Sequence, residues 1–126
     1  MNRIALTAIL LLSLFSSLAW ADTKPRPMIM ELFRSQIDAI ASESYEQFMD
    51  HADANFRQSI SQDQFGALSE SLSPRLVDGY QSEYLGALNQ DGFNVHLWKM
   101  TLASSDSDNL VKMAMRENEI AGFWIQ

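Results

Sequence analysis

Phe93-Asn94-Val95-His96-Leu97-Trp98-Lys99-Met100-Thr101-Leu102 is the segment against which the rest of the chain can be registered. β-branched and aromatic residues dominate it, a Gly-containing turn precedes it and a Ser/Asp-rich loop follows, which predicts a central strand. Upstream, Gln90-Asp91-Gly92 fits a three-residue hairpin loop with Gly in the left-handed position. That loop sets Asn89 opposite Phe93, Tyr84 opposite Trp98 and Glu83 opposite Lys99, an aromatic pair beside an opposite-charge pair. Downstream, Glu117-Asn118 reads as a two-residue loop. It sets Met115 opposite Ile120, Met113 opposite Gly122 and Val111 opposite Trp124, with Trp98 meeting Met115 across the central pair.

This register yields one coherent face of Tyr84, Leu88, Trp98, Met100, Leu102, Val111, Met113, Met115, Ile120 and Trp124. The opposite face mixes Glu83, Lys99, Thr101, Lys112, Arg116 and Glu119 with Leu85, Phe93, Val95, Leu97, Ala114, Ala121, Phe123 and Ile125. A sheet with one wet face alternates more cleanly than this, so the second face calls for a partner. Its apolar members Leu85, Val95, Leu97, Phe123 and Ile125 are the candidate interface of a homodimer, since a bare patch of this kind is unusual on a monomer.

The first half of the chain has the helical period. Pro27 suits a first helical position, and Ile29, Leu32, Phe33, Ile37 and Ile40 form one stripe. Ser44 with Gln47 is a capping-box pattern opening a second helix, whose buried face is Tyr45, Phe48, Ala52, Phe56 and Ile60. Ser61 with Gln64 repeats the pattern, and the third helix buries Phe65, Leu68, Leu72 and Leu76. Pro74 lies inside it and predicts a break or kink near Leu72–Ser73. The fold class is therefore α+β, with N-terminal helices packed on a bent antiparallel sheet of about four strands.

Residues 1–21 read as a cleaved signal peptide: a basic start at Arg3, an apolar run from Ile4 to Leu18, and Ala19-Trp20-Ala21 as the cleavage signal. Residues 22–27 are a tether, and 28–126 a single domain. Export to the periplasm or the medium follows, without a lipoprotein anchor because the chain has no Cys. Setting Arg3 aside leaves eight basic and sixteen acidic residues, a net charge of −8. Phosphate backbones and anionic membrane surfaces repel such a protein, which argues against nucleic acid and membrane partners.

Ser73-Pro74-Arg75-Leu76, Tyr84-Leu85-Gly86, Leu97-Trp98-Lys99 and Ala121-Gly122-Phe123-Trp124-Ile125, with helices ahead of the sheet, resemble the nuclear transport factor 2-like superfamily. The nearest resemblance is to small exported bacterial members of unassigned function. It implies a cone whose helices and curved sheet enclose a cavity, often with dimerisation through the sheet. The superfamily holds both ketosteroid-isomerase-like enzymes and binding modules, so function must come from the site.

An isomerase of that kind needs an inward carboxylate base, and the register puts no acid in mid-strand there. His96 is the inward polar residue, sharing a face with Tyr84 and Trp98 opposite Gly86. It could hold a ligand or move a proton near neutral pH, or simply be a hydrogen-bonded His at the core margin. Met100, Met113 and Met115 cluster inward beside two tryptophans, as core or as an adaptable apolar wall. Asp50, His51 and Asp53 suggest metal ligands, but Asp53 and Arg57 are more simply an i,i+4 pair. Asp106 and Asp108 lack the Gly and terminal Glu of a calcium loop.

The reading is an exported non-enzymatic module for an apolar or amphipathic small ligand or a protein partner, dimeric, with no metal and no cofactor. Tyr84, His96, Trp98, Met100, Met113 and Trp124 are its cavity candidates. The alternatives are a small isomerase- or hydratase-like enzyme using His96 with Tyr84, and a purely structural dimeric subunit.

Overall fold

The computed structural model describes residues 24–126, so the signal peptide and the start of the tether lie outside the described residues. Helices α1 (Pro27–Ala41), α2 (Tyr45–Met49), α3 (Ala54–Ser59) and α4 (Gln62–Val77) precede strands β1 (Tyr80–Gln90), β2 (Phe93–Leu102), β3 (Asp108–Arg116) and β4 (Glu119–Ile125). The strands form one antiparallel sheet in the order β1-β2-β3-β4, and the helices cover one of its faces.

The α1 stripe of Ile29, Leu32, Phe33, Ile37 and Ile40 is buried throughout. Phe33 stacks on Trp98 of β2 with ring centroids 4.1 Å apart, which seats α1 on the inner face. The second helix departs from expectation by splitting into α2 and α3. The intervening segment supplies backbone to the edge of β4: Ile120 N–H donates to His51 O at 2.8 Å, and Asp53 N–H donates to Ile120 O at 2.9 Å. Those bonds satisfy the N–H and C=O that Ile120 presents at the start of that edge. Asp53 then caps α3, its Oδ1 accepting from Phe56 N at 2.8 Å, in place of the expected pair with Arg57. Ser61 and Gln64 make both bonds of the capping box. Helix α4 runs without the expected break through Pro74 to Val77. Ser73 Oγ donates to Ala41 O at 2.6 Å and ties α4 to α1.

Two bulges change the sheet. The first hairpin turns on Asp91 and Gly92 alone, both at positive φ (54° and 85°), so Gln90 rather than Asn89 faces Phe93. A bulge between Tyr84 and Gly86 then restores Tyr84 to Trp98 and Glu83 to Lys99, with Gly86 at φ 137°. Between bulge and turn, β1 is flipped. Leu88 points outward opposite Val95, and Ala87 rather than Gly86 faces His96. The central pair is displaced too, Trp98 lying opposite Val111 instead of Met115. That slip is even-numbered, so every side chain of β2 and β3 keeps its expected face.

The second bulge reverses the end of the chain. Met115 faces Ile120 as expected, but beyond Ala121 the pairs are Gly122 with Ala114, Phe123 with Met113 and Ile125 with Val111. Phe123, expected outside, is 7 % exposed and edge-on to Phe48 at 6.0 Å. Ile125 packs on the core. Trp124, expected inside, is 46 % exposed on the outer face. A Gly in mid-strand often accompanies such a bulge, and Gly122 follows the unpaired Ala121 here.

Candidate functional site

The inner face presents one polar pair. The Tyr84 hydroxyl lies 2.9 Å from His96 Nδ1, a hydrogen bond whose donor is set by the ring tautomer. Both side chains are half-buried at the margin of the core, with Tyr84 edge-on to Trp98 at 5.3 Å. Burial holds the Tyr84 hydroxyl above its ordinary pKa. Burial, helped by the nearby Arg26, lowers that of His96 and so favours the neutral imidazole. A neutral imidazole against a phenol can relay a proton but has no oriented carboxylate to make it a strong base.

The other inward candidates are not within reach of a solute. Trp98, Met100 and Met113 are each 0 % exposed, so the space between helices and sheet at their level is filled by their own side chains. Trp98 Nε1 and Gln36 Nε2 are buried without a hydrogen-bond partner.

The outer face carries a different arrangement. A hollow of about 270 Å³ is lined by Gln90, Asp91, Phe93, Val95, Lys112, Ala114, Ala121 and Trp124. Register explains its shape. Phe93 and Asp91 stand at the hairpin end, Val95 and Ala114 are paired across the floor, and Lys112 and Trp124 are paired at the far end. The small side chains of Ala114 and Ala121 leave the room. Gly122 lets the Trp124 ring lie along the sheet, since a Cβ there would overlap the indole. Lys112 Nζ sits 5.5 Å from the Trp124 ring centroid, and the Arg116 guanidinium 3.9 Å from that of Phe93. Lys99, by contrast, is paired with Glu83 at 3.2 Å. Of the five expected interface residues, Leu85, Val95 and Leu97 stay off the inner face, as does Leu88, while Phe123 and Ile125 have turned inward.

Sequence reading did not single out this hollow, because Trp124 reaches it only through the β4 bulge. Asp50 and His51 pair with each other at 3.4 Å, and among the described residues no group of three His, Asp or Glu side chains is placed to hold a metal. Asp108 accepts from Thr101 Oγ1 at 2.8 Å and closes the β2–β3 loop. Compared with models of known families and with curated proteins, the chain matches none.

Proposed function

We propose that this protein is an exported, non-enzymatic binding module of the nuclear transport factor 2-like kind whose recognition surface is the outer face of the sheet. The hollow between Phe93 and Trp124 carries the reading. It pairs an exposed Trp with an apolar floor, the composition of a binding site, whereas the inner candidates Trp98, Met100 and Met113 are sealed. Native mass spectrometry of the protein purified from its own cell envelope tests it. A retained species should be present in the wild type and lost in Trp124→Ala. Retention unchanged in that variant would move recognition elsewhere.

A second copy of the chain is the competing occupant of the same face, with Leu88, Leu97 and Trp124 at its centre instead of Phe123 and Ile125. Light scattering after size exclusion separates the two, because a homodimer runs at twice the chain mass and Trp124→Asp returns it to one. The enzyme reading keeps one supporting observation, the 2.9 Å contact of Tyr84 with His96. It predicts a proton-transfer activity abolished by both His96→Phe and Tyr84→Phe.

A further inference from the structure

Resting on the outer-face reading, we infer that the hollow takes a small aromatic carboxylate, its ring between Phe93 and Trp124 and its carboxylate on Lys112. Three observations converge on that chemistry. The first is size. At about 270 Å³ the hollow falls just below the range of drug-sized sites, roughly 300–1,000 Å³, and suits a ligand on the order of a dozen heavy atoms. Phe93 and Leu97, the neighbour of Lys112 across the sheet, are four residues apart on β2. That is roughly 13 Å of strand, the length of one ring with a short chain.

The second is the floor. Val95 and Ala114 are buried beneath the hollow and Ala121 is partly exposed beside them, so the floor between the two aromatic walls is aliphatic and favours an apolar middle of the ligand. A planar ring meets both walls face-on or edge-on at little conformational cost.

The third is charge. On a chain of net charge −7, the hollow is flanked by two cations, Lys112 and Arg116. Among the described residues no carboxylate oxygen lies within 4.0 Å of either. Each rests instead on an aromatic ring. Asp91 also lines the hollow, at the hairpin end. It disfavours an anion there and so directs the carboxylate toward Lys112. The pairing Leu97–Lys112–Trp124 thus defines an anionic end, and Gln90–Asp91 the end that accepts at most a hydrogen-bond donor.

Titration of the purified protein with 4-phenylbutyrate, 4-phenylbutanamide and 4-phenylbutylamine tests the assignment, read by the indole NH resonance of Trp124. The carboxylate should shift that resonance saturably and bind about tenfold tighter than the amide or the amine, as a charge-assisted contact requires. Lys112→Met, which keeps the aliphatic stem, should erase the preference, so that the carboxylate binds no tighter than the amide. Ala121→Leu, checked for an unaltered circular dichroism spectrum, should abolish binding of all three. The assignment is overturned by any of three results: no saturable shift up to about 10 mM carboxylate, an amine that binds as tightly, or a preference that survives Lys112→Met. A Trp124 resonance that moves with protein concentration alone identifies a second copy as the occupant and likewise overturns it. Failure here alongside a Trp124-dependent retained species in native mass spectrometry would sink the ligand class and leave the recognition surface standing.

Discussion

Gly122 and Trp124 act as one unit on the outer face. Any side chain at Gly122 collides with the indole, so Gly122→Ala should drive Trp124 off the sheet, at a stability loss of about 1 kcal/mol. Acrylamide quenching is the measurement: Trp124, already half-exposed, should be quenched more strongly in the variant than in the wild type while Trp98 stays protected. On the inner face, His96 carries a pH dependence whose sign follows from its lowered pKa. The folded state disfavours the imidazolium, so the unfolded chain binds the proton first as pH falls below the ordinary His value near 6.5. Stability is then fully present above about pH 6.5 and declines as pH falls through the lower folded value. Melting temperatures between about pH 7 and 5 should fall more steeply in the wild type than in His96→Phe. Parallel slopes would show that His96 is not the group responsible.

Among the elements, the break between α2 and α3 separates two accounts of Asp53. As an N-cap its carboxylate satisfies Phe56 N, so Asp53→Ala should lose about 1 kcal/mol in urea denaturation and Asp53→Asn little. A surface ion pair with Arg57 would instead make Arg57→Met and Asp53→Ala equivalent. Arg57 donates Nε to Ala52 O at 3.1 Å, so its guanidinium holds the same turn by a different bond. The β4 bulge is the element-scale feature with the widest consequence. It exchanges Phe123 for Trp124 between the faces and in doing so builds both the core contact to Phe48 and the wall of the hollow.

For the molecule as a whole, that exchange alters what Phe123 does. Placed outside, Phe123→Asp would merely disperse a dimer. With the ring buried against Phe48, the substitution puts a carboxylate into the core without a partner, and the protein should fail to fold cooperatively. Trp124→Asp should keep the wild-type thermal transition within a few degrees, because its side chain is half in water. Paired thermal melts of the two variants check this. A stable Phe123→Asp would mean that the bulge is absent and Trp124 faces inward.

How much of this was legible before folding depends on the range of the interaction that decides it. Local signals suffice for the α1 stripe, the N-cap at Ser44, the capping box at Ser61 and the strands, because period and caps are properties of neighbouring residues. The sequence by itself also placed Tyr84 and His96 on one inward face. Helix α2 ended where the β4 edge needed backbone partners from His51 and Asp53, a demand that no residue of the helix displays. The two bulges, and with them the outer placement of Leu88 and Trp124, were decided only by tertiary structure. One unpaired residue reverses every side chain beyond it, and whether a strand accepts it depends on what the far face must bury.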